Sequence, residues 1–136
     1  MMLAALNCDA AEQALRSSVW SPAFRHVSIA RELLPSDAWK ACHALAASIH
    51  VLGVQCAYLV GQPELAESLA EVALTELQDH QSKARICLFM LNGNMVRGKR
   101  DYAIARGLEG LRYCGIEVPP ADLLEKRSSE EQARLD

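Results

Sequence analysis

A chain of 136 residues has room for one domain, and with 51% of its residues apolar but only 5% aromatic, it draws heavily on alanine, which packs helices closely and makes poor strands. The net charge of −3 argues against a dedicated nucleic-acid binder and selects no other partner. Five cysteines, Cys8, Cys42, Cys56, Cys87 and Cys114, are odd in number and form no C-x-x-C pair; the expectation is buried free thiols in a reducing compartment. The first residues lack the basic start of a secretion signal, so the expected location is cytoplasmic.

In chain order, Leu3 to about Ser18 reads as a first helix with Leu3, Leu6, Ala10, Ala14 and Leu15 apolar. Ser21 and Pro22 suit the cap and first turn of a second, which carries Ala23, Phe24, Val27, Ala30, Leu33 and Leu34 up to Pro35. Ser36 or Asp37 caps a third, expected to run unbroken from Ala38 to Val60. Lys40 and Glu64 bracket 23 residues without Asp, Glu, Lys or Arg, which is membrane-span length. His43, Ser48, His50 and Gln55 interrupt that stretch, so a helix buried in a protein core is the better reading and no membrane partner is expected.

Gly61, Gln62 and Pro63 turn the chain into a fourth helix whose Glu64, Glu67, Ser68, Glu71, Thr75 and Gln78 form one wet stripe, with Leu65, Ala66, Leu69, Ala70, Val72, Ala73 and Leu77 inward. A fifth helix starts at Asp79 or Ser82 and ends near Val96. Gly53 and Gly93 fall mid-helix in comparable places, which asks for close approach of a neighbour. After Gly98, Asp101 caps a sixth helix with Ala105, Leu108, Leu111 and Tyr113 inward until Gly115 ends it. Residues 117–136, with Pro119 and Pro120, read as a linker and a polar, partly helical tail.

Charge is partitioned along the chain. Residues 1–61 hold four acids and four bases, residues 62–79 five acids and no base, and residues 80–116 seven bases against Asp101 and Glu109. Adjacent helices with complementary solvated faces account for this, with a basic docking patch as the alternative.

Three second-helix starts align: Ala23 with Val27, Ala30 and Pro35; Ala66 with Ala70 and Ala73; Ala105 with Leu108 and Leu111. The first resembles the A-x-x-x-F…A…P half of a tetratricopeptide repeat, and G-K-R-D-Y-A-I-A is similar to its G-D-Y-x-x-A turn. The intervals are 43 residues from Ala23 to Ala66 and 39 from Ala66 to Ala105, longer than the standard length of about 34. The expected fold is all-α, a tetratricopeptide-like stack of three antiparallel helix pairs over residues 1–116 with a short C-terminal extension.

A narrower resemblance rests on L-L-P-S-D-A-W-K (Leu33–Lys40), A-Y-L-V-G-Q-P-E-L-A-E (Ala57–Glu67), Lys83, R-G-K-R-D-Y-A-I-A-R-G-L (Arg97–Leu108) and C-G-I-E-V-P (Cys114–Pro119). In order and spacing these segments resemble the helical region after the AAA-type ATPase domain in large multidomain signalling kinases, which join a serine/threonine kinase-like domain, the ATPase, a GAF domain and often a histidine kinase. The resemblance implies a signalling scaffold that couples domains. The family's catalytic parts are not among these residues: there is no G-x-x-x-x-G-K-S/T loop, H-R-D, D-F-G or phospho-acceptor histidine motif. No enzyme activity and no cofactor are expected of this chain, and a longer parent would be of the kinase/ATPase type. The start M-M-L-A-A-L without a capping signal reads as a fragment.

Tetratricopeptide-like arrays line their concave groove from each pair's first helix, which selects Ser48, Val51, Gln55 and Tyr58 on the third helix and Met90, Asn94 and Arg97 on the fifth. The expected partner is a protein: a neighbouring domain of the same polypeptide or, alternatively, a peptide or protein bound by a stand-alone adaptor. His43 and His50, with Cys42 and Cys56 near, raise a metal site or a thiol nucleophile, but the spacing is weak for either and no carboxylate accompanies them; no metal is expected.

Overall fold

The computed structural model describes residues 2–117. Among these it is all-helical: α1 (Met2–Arg16), α2 (Trp20–Glu32), α3 (Ala38–Ala41), α4 (His43–Leu59), α5 (Pro63–Glu76), α6 (His80–Val96) and α7 (Arg100–Tyr113), with no strand. The expected linker and tail lie outside the described residues, apart from Glu117. Among the described residues no helix is long and apolar enough to cross a membrane.

The closest packing is within three sequential pairs, α1 with α2, α4 with α5 and α6 with α7, while α4 also lies on α1 and α2, and α6 on α4 and α5. Each pair is joined by three residues whose middle one is left-handed: Ser18 (φ 58°), Gly61 (φ 80°) and Gly98 (φ 77°). The next residue's N–H reaches back to a last-turn carbonyl each time, Val19 to Ala14 at 2.9 Å, Gln62 to Ala57 at 2.8 Å and Lys99 to Asn94 at 2.8 Å. These bonds satisfy carbonyls that a helix end leaves open. Gly115 (φ 79°) closes α7 in the same way.

The second helices also share a register. Ala23, Ala66 and Ala103 are each the fourth residue of their helix and fully buried, because only a small side chain fits where two helices cross closely. Val27 with Ala30, Ala70 with Ala73, and Gly107 with Gly110 continue the three rows. The third repeat position is therefore Ala103, not Ala105, which is exposed. Leu111 is also partly exposed, so the inward face of α7 is rotated from the expected one. Tyr102 and Ile104 flank Ala103 and hid the small-residue row inside a more apolar neighbourhood.

Two clusters make the core. Ala4, Cys8 and Ala11 of α1, Ala23, Val27 and Ala30 of α2, and Ile49, Leu52 and Cys56 of α4 form the first. Val51 and Val54 of α4, Leu69, Ala70 and Ala73 of α5, Leu77, and Ile86 and Met90 of α6 form the second. Helix α4 thus contributes to both, which is why its sequence carries no charge; each of its large apolar side chains contributes about 1.5–3 kcal/mol by burial.

Several boundaries differ from expectation. The helix expected from Ala38 to Val60 breaks at Cys42 (φ −147°, ψ 63°), and the break folds Trp39 back over His43 and His50, with ring centroids 5.4 and 4.8 Å apart. Helix α2 starts at Trp20 behind Val19, without a side-chain cap; Ser21 and Pro22 lie in its first turn, where a missing N–H costs nothing. Asp101 lies inside α7 and Lys99 holds its cap position. Asp79 does cap α6, accepting from the N–H groups of Gln81 and Ser82. Leu3 and Leu6 face solvent, and α1 buries Ala4, Cys8 and Ala11 instead. Val72 is likewise exposed on α5.

Candidate functional site

A cleft of about 600 Å³ opens where the end of α4, the start of α5 and the last turns of α6 meet. Tyr58, Leu59, Pro63, Phe89 and Val96 supply its apolar walls, and Gln55, Asn92 and Arg97 its polar rim. The wall at Tyr58 exists because α6 carries glycine opposite it: a Cβ on Gly93 would be driven into the Tyr58 ring. Gly53 has a different neighbour, Leu69 Cδ1, which lies 3.1 Å from where its Cβ would stand. The two glycines therefore serve different contacts, not comparable ones: Gly53 faces α5 and Gly93 faces α4.

A polar chain runs under the rim. The buried Asn94 amide donates to the Met90 carbonyl at 2.7 Å and to the Tyr58 hydroxyl at 3.4 Å. Arg97 Nη1 donates to Asn94 Oδ1 at 3.3 Å and to Glu67 Oε1 at 3.4 Å. Arg97, its side chain 26% exposed, also lines the cleft, where a guanidinium can donate to a carboxylate or a peptide carbonyl. Burial, reinforced by Glu67, pushes the Tyr58 phenol up to about 12, so it stays protonated at neutral pH and serves as a hydrogen-bonding wall.

Of the groove residues expected from sequence, Gln55, Tyr58 and Arg97 converge here. Val51, Met90 and Asn94 do not line it: all three are buried, Val51 and Met90 in the second core cluster and Asn94 as the anchor under Arg97. Ser48 lies in a separate cavity of about 330 Å³ with Glu12, Asp79 and Arg85. The sequence reading missed Phe89, Asn92 and Val96. Their i, i+3, i+7 spacing placed an aromatic, an amide and a branched side chain on one face of α6, and that signal was there to use.

The histidine and cysteine readings separate in space. Cys56 packs in the first core cluster, whereas His43 and His50 lie under Trp39, their Nδ1 atoms 3.1 Å from the Trp39 carbonyl and 2.9 Å from the Ala46 carbonyl. Among the described residues no group of three or more His, Cys, Asp or Glu could hold a metal ion. Burial pushes the Cys8, Cys56 and Cys87 thiols up to about 11, which disfavours the nucleophilic thiolate. Cys114, expected to be buried, is exposed, and Cys42 is half-buried.

The complementary charges meet on one side of the molecule. Arg106 Nη2 of α7 reaches Glu71 of α5 at 2.6 Å and its Nη1 reaches Glu109 at 2.8 Å, next to the Arg97–Glu67 pair. Acidic α5 is thus bridged by the basic third pair. No family model, curated protein or solved structure matches this chain.

Proposed function

We propose that this chain is a non-catalytic helical scaffold of the tetratricopeptide-like kind that engages a protein segment in the Tyr58–Arg97 cleft. The observation that carries the reading is the cleft itself: an apolar trough with a guanidinium and two amides on its rim, the chemistry that an extended peptide's side chains, backbone and carboxylates require. The repeated left-handed turn and the shared small-residue register of α2, α5 and α7 support the tetratricopeptide-like arrangement.

The resemblance of its motifs to the helical region of multidomain signalling kinases favours a neighbouring domain of a longer polypeptide as the partner. A free peptide bound by a stand-alone adaptor is the second reading, favoured by the cleft's size and openness to a single extended strand of chain. An immunoblot with an antibody to residues 62–81 separates the two: a native product far larger than 14.9 kDa supports coupling within a large signalling protein, and one at that mass supports the adaptor.

The cleft itself is tested by selecting peptides from a displayed random library on the immobilised chain. Arg97→Ala and Tyr58→Leu should each weaken the selected peptides by about 1–3 kcal/mol. Selected peptides indifferent to both substitutions would remove the cleft as the binding site.

A further inference from the structure

Each of the first two helix pairs has its outer groove covered by the next long helix, α1 and α2 by α4, and α4 and α5 by α6. The third pair carries the same kind of groove, about 550 Å³, floored by Gly107 and Gly110 and walled by Leu88, Leu91, Ile104 and Leu111. Register shows the equivalence. Cys8, Val51 and Leu88 stand at equal distances before the left-handed residues Ser18, Gly61 and Gly98. Cys8 and Val51 are buried in clusters that contain residues of α4 and α6 respectively, whereas Leu88 is 50% exposed.

The opposite end of the molecule carries the matching ridge. Leu6, Ile49 and Ile86 also stand at equal distances before Ser18, Gly61 and Gly98. Ile49 and Ile86 are 1% and 0% exposed, each filling the groove of the preceding pair, but Leu6 is 57% exposed and shares its face of α1 with exposed Met2 and Leu3.

We propose that a second copy of this chain lays α1 in the α6–α7 groove, with Leu6 in the place that Ile49 and Ile86 take within one chain, so that copies join head to tail. No like charge opposes the contact. Arg85 is the one charged side chain among the described residues that lines the groove. It stands as far before Gly98 as Ser48 before Gly61, and Ser48 shares its cavity with Ser82 and Arg85 of the next long helix, so the same register sets uncharged Met2 and Ala5 of the second copy beside it. The two joined surfaces differ, so the contact is heterologous and leaves a free groove at one end and a free α1 at the other.

Sedimentation velocity of the full 136-residue chain, from low micromolar to millimolar, tests this. Wild type should associate with concentration, and Leu6→Glu or Leu88→Glu should each weaken self-association by about tenfold or more, with circular dichroism showing that both exposed-site variants still fold. An equimolar mixture of the two variants should form a dimer and nothing larger, since one copy retains its groove and the other its α1. A wild-type chain that stays monomeric overturns the proposal: if Leu88→Glu then lowers the melting temperature, a segment of the same chain covers the groove, and if it does not, the groove belongs to a different protein. Association that survives either variant, or that the mixture does not restore, overturns it as well.

Discussion

Gly93 and Tyr58 make the sharpest residue-level contact. The glycine is kept against a helix-propensity cost of about 1 kcal/mol because α6 passes directly beneath the ring. Gly93→Ala should therefore lose about 1–3 kcal/mol through overpacking, read as a lower urea midpoint, and the loss should shrink in the double variant with Tyr58→Leu. Gly53→Ala meets only the mobile end of Leu69, so it should be close to neutral, whereas Gly53→Leu should destabilise like Gly93→Leu. Ser18 is the opposite case, a side chain in a conformation that glycine holds in the two equivalent turns. Ser18→Gly should raise stability by about 0.5–1 kcal/mol in the same assay. His50 supplies a pH dependence. Burial holds its pKa below the ordinary 6.5, aided by the charge of Arg31 and opposed by the Ala46 carbonyl. The folded chain thus disfavours the imidazolium: stability is fully present above the unfolded pKa and declines as pH falls through the lower folded value. Thermal melts between about pH 7 and about pH 5 should show a decline that His50→Gln makes shallower.

At the scale of elements, the acidic and basic stretches seen in sequence become one bridging network between α5, α6 and α7. Its centre is Arg106, largely buried and held by Glu71, Glu109 and the Tyr102 hydroxyl. Arg106→Ala should cost about 1–2 kcal/mol, while Glu71→Ala, on the exposed partner, should cost less than about 1 kcal/mol; guanidinium midpoints of the two variants give the comparison. Six helices were expected over these residues and seven are found; the turns between paired helices were legible because Gly61 and Gly98 punctuate the chain, Gly115 marks the end of α7, and α5 alternates sharply between wet and dry faces. The break at Cys42 was not legible, since no glycine or proline marks it; what it achieves, the edge-on and tilted contacts of the Trp39 ring with His43 and His50, is visible only in the folded chain. The face of α7 was misread for a related reason. Its packing row is Ala103, Gly107 and Gly110, and a search for large apolar residues at helical spacing passes over a row whose role is to be small. Of the cleft, Gln55, Tyr58 and Arg97 were legible from the repeat geometry; Met90 and Asn94 were misplaced because α6 is apolar on more than one side, so periodicity alone could not say which face is wet.

For the molecule as a whole, three helix pairs in one register create two kinds of surface. One is the cleft at the ends of α4 and α6, rimmed by Gln55, Asn92 and Arg97; the other is the pair of end faces, which among the described residues expose Leu6 on α1 and Leu88 on α6. Long-range order comes from α4, which belongs to both core clusters, so the first and second pairs should unfold together: Ile49→Ala and Val54→Ala, one in each cluster, should each lower a single cooperative transition by about 2–4 kcal/mol, followed by circular dichroism in urea. Occupation of the cleft by a protein segment is tested by an amide chemical-shift titration of the labelled chain with a display-selected peptide. The largest saturable shifts should fall on Gln55, Tyr58, Asn92, Val96 and Arg97 and vanish in Arg97→Ala. Shifts concentrated on α1 and α2, or unchanged by Arg97→Ala, would contradict it.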